Sequence, residues 1–294
     1  MLRPNAKTRR LRDDLICELV IIDSESGETE ILYDSTALIE APNWSPCGKW
    51  IVYNADGRLW RMAVDGSEGP LRIDTGDVQD WNNDHVISVD GSTIYGSVND
   101  GHIYAVPFEG GSPRRVTEDR GWNYYLHGVG ADDTLAYVAL EFSPLVTRVH
   151  LLGEEDIQLT DGAYPVDGPE FSPDGKHIWY NGEAPERVAG HAQVYRMDRD
   201  GGNVVQMTGG ERVNWFPHVS PDGTKVSYIS YPAGTLGHPA DKDVQIRLMD
   251  IDGTNDRLLD SFNGGQGTIN VNSWAPDSRR FAYVRYPSAV GNTP

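Results

Sequence analysis

"FSPDGKHIWY", residues 171–180, sets a tight turn directly ahead of an alternating run. Proline presets φ at the turn's second position, aspartate caps the turn locally, and glycine takes a left-handed conformation at its end. The alternation in "KHIWY" is that of a half-buried strand. The pattern recurs as "WSPCGKWIVY" from Trp44, "VSPDGTKVSY" from Val219 and "WAPDSRRFAY" from Trp274. Weaker copies are "ISVDGSTIYG" from Ile87 and "VGADDTLAYV" from Val129. The six starts lie 43, 42, 42, 48 and 55 residues apart. A period in this range belongs to solenoids and propellers before any ordinary fold.

Each copy predicts four strands. The alternating run is followed by a strand that ends in an Asp-Gly turn, as in "LWRMAVDGS", "VYRMDRDGG" and "IRLMDIDGT". A short last strand follows, such as "PLRID" or "VVQMT", and the segment ahead of each turn, such as "NWFPHV", supplies the remaining one. Four antiparallel strands per repeat make one propeller blade. No helical period of useful length appears. The two ends are half copies. "CELVIIDSESGETEILYDS" (17–35) has the strand–turn–strand of a repeat's second half, and "WAPDSRRFAYVRYPS" (274–288) has its first half. Side by side they complete a sixth blade and close the ring, which removes the exposed sheet edges. The expectation is an all-β, six-bladed propeller. Residues 14–287 form a single domain, 1–13 a basic flexible arm and 288–294 a tail.

The repeats resemble those of TolB-type β-propellers, which join a Ser-Pro-Asp-Gly turn to a later Met-Asp-x-Asp-Gly stretch. The resemblance covers about residues 14–287 and implies a six-bladed ring with a partner docked at its channel mouth. Relatives that serve the Tol-Pal envelope system are exported and carry an N-terminal α/β domain before the propeller. Neither is read in this sequence, so an envelope role and binding to the peptidoglycan-associated lipoprotein are not expected.

Bulk composition narrows the function classes. The chain has 294 residues and a formal net charge of −19. That field repels phosphate backbones, and no nucleic-acid partner is expected. The basic arm, with Arg3, Lys7, Arg9, Arg10 and Arg12, reads as a solvated tail. The longest nearly apolar run, "LICELVII", contains a glutamate and is too short to span a bilayer, so no membrane partner is expected. No apolar signal core follows the basic start, which points to the cytoplasm, or to the periplasm should the true start lie elsewhere. Cys17 and Cys47 are too few for a disulfide framework. A monomer is expected.

Propeller topology places both turn types on one face. The loops between second and third strands lie on the other, and two of these are long, at 182–193 and 231–243. Unusually long loops in compact repeats are often functional. Beneath this rim the strand starts are rich in aromatics and amides. Trp122, Asn123, Tyr124, Asn214 and Trp215 are candidate walls and hydrogen-bonding groups for a peptide, a protein or a small glycan. Trp81, Tyr164, Asn82 and Asn270 belong to the same set, and Glu170, Arg187, Arg212 and Asp241 are its charged candidates. All eight histidines lie after residue 80. His127, His191, His218 and His238 could converge with Glu170 or Asp241 on a divalent metal, Mn²⁺ or Zn²⁺ ahead of Ca²⁺. No local His spacing, phosphate loop or Gly-x-Ser-x-Gly elbow is present. The primary reading is a binding module at the channel mouth. The alternative is a carbohydrate-active enzyme, a metal-assisted lyase or hydrolase, with Arg187 or Arg212 neutralising a uronate.

Overall fold

In the computed structural model, residues 9–184 and 188–289 are described. Every regular element of any length among them is a strand. The first hairpin is β1 (Cys17–Asp23) and β2 (Thr29–Ser35). Blade 1 follows as β3 (Glu40–Trp44), β4 (Trp50–Ala55), β5 (Arg58–Ala63) and β6 (Leu71–Arg72). Blade 2 is β7 (Trp81–Ile87), β8 (Thr93–Val98), β9 (Ile103–Pro107) and β10 (Arg114–Arg115). Blade 3 is β11 (Asn123–Val129), β12 (Leu135–Phe142), β13 (Leu145–Leu152) and β14 (Asp156–Gln158). Blade 4 is β15 (Val166–Phe171), β16 (His177–Gly182), β17 (Gln193–Asp198) and β18 (Val205–Gln206). Blade 5 is β19 (Val213–Val219), β20 (Lys225–Tyr231), β21 (Lys242–Asp250) and β22 (Arg257–Gly264), and β23 (Arg280–Arg285) comes last. Each blade is an antiparallel meander from channel to rim, and the sixth sheet has the order β2-β1-β23. Its innermost position is taken by residues 268–274, which bridge β23 at Trp274–Phe281 and accept its amides at Thr268 and Ser273.

The repeated turn has one chemistry in blades 1, 2, 4 and 5. The backbone N–H of Gly48, Gly91, Gly175 and Gly223 donates to the carbonyl of Ser45, Ser88, Ser172 and Ser220, at 2.8–2.9 Å. Each serine hydroxyl also accepts the first N–H of the next strand, from Trp50, Thr93, His177 and Lys225, all at 3.0 Å. Where the motif decays, Asp133 and Ser278 take the left-handed conformation themselves, at φ 60 and 57°. The turn therefore survives loss of its glycine at some backbone cost.

Ring closure rests on β1. It pairs with β23 from Glu18–Arg285 to Asp23–Arg280, and with β2 on its other side. Its alternation feeds two different cores. Cys17, Leu19 and Ile21 pack with Trp44, Ile51 and Tyr53 of blade 1. Val20 and Ile22 pack with Val213, Ile229, Val244 and Ile246 of blade 5. Similar apolar clusters lie at the other blade interfaces. Two ion pairs fasten the seam, Arg285 Nε to Glu18 Oε2 at 2.6 Å and Arg279 Nε to Asp23 Oδ2 at 2.5 Å.

Ile22 is fully buried in this seam. Ile22→Ala is expected to cost about 2–5 kcal/mol of unfolding free energy. Substituting the exposed Ile31 of β2 with alanine is expected to cost less than about 0.5 kcal/mol, because it fills no core. Urea titration of both variants checks the contrast.

Candidate functional site at the polar channel mouth

The inner strands are not regular ladders. Each of β3, β7, β11, β15 and β19 shifts register, between Glu40 and Asn43, Trp81 and His85, Leu126 and Gly128, Asp167 and Glu170, and Trp215 and His218. Proline explains three of these. Pro42, Pro169 and Pro217 have no N–H to donate, and the residues before them, Ala41, Gly168 and Phe216, sit at φ 53, 61 and 52°. The bulge re-aims the neighbouring side chains into the channel. The residue five positions ahead of each turn lands there as Glu40, Asn83, Tyr125, Asp167 and Asn270. In blade 5 this position is Trp215, which packs on His238 at 4.6 Å between ring centroids.

These side chains line a cavity of about 340 Å³ on the long-loop side of the ring. Its centre is ionic. His127 Nε2 lies 3.0 Å from Asp167 Oδ1, and His127 Nδ1 lies 3.1 Å from the Asn270 carbonyl. Both neighbours are acceptors, so the ring satisfies them together only as an imidazolium. Burial alone would lower the His127 pKa; the Asp84 and Asp167 carboxylates outweigh it and raise it to about 9. Burial would raise Asp167, yet bonds from His127 and His238 hold it far below the usual carboxylate range. Asp84 is pushed up by burial, against the pull of His127. His238 reaches in from the 232–241 connection, with Nε2 3.5 Å from Asp167 Oδ2 and a buried, unpartnered Nδ1.

Glu40 closes one side of the mouth. It receives Arg9 Nη2 at 3.0 Å and Asn83 Nδ2 at 3.3 Å. Gly267 makes this approach possible, because a Cβ there would stand 2.6 Å from Glu40 Oε1. Burial raises the Glu40 pKa against the pull of Arg9.

The expected site residues divide. His127 and His238 meet at Asp167. His218 lies elsewhere, with Nδ1 2.6 Å from Glu170 Oε2 and Nε2 2.6 Å from the Ile269 carbonyl. Glu170 is spent on His218, the Val219 N–H and Asn272, and it borders a second, largely apolar cavity of about 370 Å³ on the turn face. His191 contacts Gln193, and Asn214 donates to the same glutamine. Trp122 and Tyr124 pack with Tyr137 and His150, and Asn123 is buried. Arg212 is bonded to Ser230. Asp241 lies 4.0 Å from Arg12. Trp81, Asn82 and Asn270 border the polar cavity, whereas Tyr164 is exposed. Arg187 lies outside the described residues. Among the described residues no three His, Cys, Asp or Glu side chains have the arrangement to hold a metal ion. Glu40, Asn83, Asp84, Asp167 and Arg9 were absent from the candidate set. Glu40, Asn83 and Asp167 share a fixed offset from the turn, with an internal proline following Glu40 and Asp167, whereas Asp84 and Arg9 follow no such offset.

His85 and His127 give opposite pH effects. His85 is fully buried, neither ring nitrogen has a partner, and burial lowers it to about 3. The unfolded chain then binds the proton first, so stability falls as pH drops from about 6.5 towards 3. His127 is raised, so its contribution is complete below about 6.5 and is lost as pH climbs through 9. Each slope reaches about 1.4 kcal/mol per pH unit. His85→Leu is expected to flatten the acid limb and His127→Gln the alkaline limb, in unfolding free energies measured by urea from pH 4 to 10. Unchanged limbs would contradict these charge states.

No family model matches the chain. An uncharacterized protein of Agrobacterium fabrum, Atu1656, is 38% identical over 272 residues, covering 90% of this chain and 91% of its own length. A solved Agrobacterium tumefaciens structure, described as a candidate TolB, superposes with a TM-score of 0.87 at 36% identity, covering 94% of this chain and 99% of that one. The Tol-Pal system protein TolB of Francisella tularensis is 24% identical over 269 residues; these cover 88% of this chain and 59% of that protein's length. An oligogalacturonate lyase in complex with manganese shares the fold alone, with a TM-score of 0.55 at 14% identity over 88% of this chain and 75% of that one. Among the described residues no helix is long and apolar enough to cross a membrane. With the ring, the turn chemistry and full-length relatives in agreement, the chain belongs to the TolB-like β-propeller family.

Proposed function

We propose that this propeller is a non-catalytic docking module that receives a segment of a partner protein at its polar channel mouth. One observation carries the reading: a cavity lined by buried polar groups from several blades lies beneath a rim that exposes apolar side chains. Leu236 and Val188 are 71% and 83% exposed on the two long loops. The loops touch each other, since Gly190 packs against Leu236. A protein segment can bury such a rim and still satisfy the polar floor. A small glycan fits the floor but leaves the rim uncovered.

The Francisella relatives carry the Tol-Pal name, which favours a protein partner and a periplasmic rather than cytoplasmic setting. The lyase alternative has less support. Its likeness is confined to the fold, His218 and His191 lie apart from the His127–Asp167–His238 group, and the nitrogens of His127 are already engaged.

The immobilised protein is offered an extract of the source organism, with captured proteins identified by mass spectrometry. Asp167→Asn and Leu236→Asp are each expected to lower recovery of a specific partner at least about tenfold, the loss of roughly 1.4 kcal/mol. Val89→Asp, at the opposite mouth, is expected to leave recovery unchanged. Equal recovery by all three variants would exclude the polar mouth as the docking site.

A further inference from the structure

We propose that the polar mouth is a guanidinium site for an arginine of the partner, and that Arg9 occupies it in the free protein as a tethered competitor. The inference rests on reading this mouth as a docking site. Arg9 Nη2 meets Glu40 Oε1 at 3.0 Å and donates to the Tyr286 hydroxyl at 2.9 Å, with its guanidinium carbon 5.1 Å from the Tyr286 ring centroid. Both oxygens are reached from the one nitrogen, Nη2, while the guanidinium carbon lies over the Tyr286 ring; a planar guanidinium suits such a ring contact better than a compact ammonium. Gly267 leaves the space that Glu40 and the Tyr286 hydroxyl occupy.

Arg9 fills this site incompletely. Its Nε is buried without a partner, and its side chain remains 27% exposed. Arg9 is the one Arg or Lys among the described lining residues, yet Glu40, Asp84 and Asp167 all face the same cavity. His127 and His238 are committed to Asp167. Room and negative charge therefore remain for a better-fitted guanidinium.

The tether is short. The arm's main chain is fixed to the body at Leu15, which bridges Ser288, and at Ile16, whose N–H donates to the Pro287 carbonyl. Between Arg9 and that anchor, Leu11 packs partly on the core and Arg12 pairs with Asp14. A side chain held this close has an effective concentration on the order of millimolar, enough to occupy a weak site without sealing it. A partner's arginine then binds with an apparent affinity reduced by that occupancy.

The test is fluorescence anisotropy with three labelled Gly/Ser hexapeptides carrying a single arginine, lysine or citrulline. Arg9→Ala is expected to tighten the arginine peptide about tenfold, as release of a competitor that fills the site about nine-tenths of the time would do. The citrulline peptide should not respond. Adding Glu40→Gln to Arg9→Ala should abolish the gain, and Arg9→Ala itself should keep the far-UV circular dichroism of the folded wild type while melting slightly earlier. Equal arginine-peptide affinity in the wild type and Arg9→Ala, or an equal gain for lysine, would overturn the inference. If partner capture still depends on Asp167 in that case, the docking reading stands and the plug alone falls. Loss of both responses removes both.

Discussion

The seam between β1 and β23 is the constraint on which the molecule depends. Five blades are each continuous in sequence, but the sixth exists only when residues 17–23 lie against 280–285. A propeller blade is a poor unit by itself, because both faces of its sheet must be covered by neighbours. In β1 the burial is continuous from Cys17 to Ile22, and alternate side chains enter the cores toward blades 1 and 5. One strand thereby couples the sixth blade to both flanking blades. The cost is loop-closure entropy over most of the chain, which must be met before the last contacts form.

Closure also sets the site. The channel exists only in the finished ring, and its lining comes from positions far apart in sequence. Arg9 meets Glu40 and Tyr286, and His127 meets Asp167 and the Asn270 carbonyl. The two ends of the channel differ in kind. The turn face presents prolines and apolar rings around the His218–Glu170 pair. The opposite face presents charges, with Glu40 and Asp167 held against cations and Asp84 left partly uncompensated. A buried carboxylate without a full partner resists ionisation, so this mouth favours an incoming cation.

Much of the scaffold was legible because turns constrain residue type strongly. Ser172, Pro173, Asp174 and Gly175 each have a separate local duty, and their near-copies mark the blades. The half repeats at the two ends foretold the seam. The site was harder to read because it depends on where bulges point side chains. The prolines at 42, 169 and 217 sat in the text, but a proline in a strand signals an interrupted ladder without saying which neighbour turns inward. Aromatic residues at strand starts need not mark a site: Trp122 and Tyr124 fill the space between blades 2 and 3, where a wedge-shaped packing unit needs large rings. The basic arm reads as a solvated tail by composition, whereas Arg9 is drawn to the buried Glu40, a contact that no local pattern encodes.

Amide hydrogen exchange under native conditions tests the closure directly, since it reports the opening free energy of each segment. The account predicts that amides of residues 18–23 and 280–285 exchange in the slowest class, together with β12, β16 and β20, through opening of the whole ring. Exchange of residues 18–23 many-fold faster than those strands, with the other blades still protected, would show the first segment peeling away by itself and would contradict it.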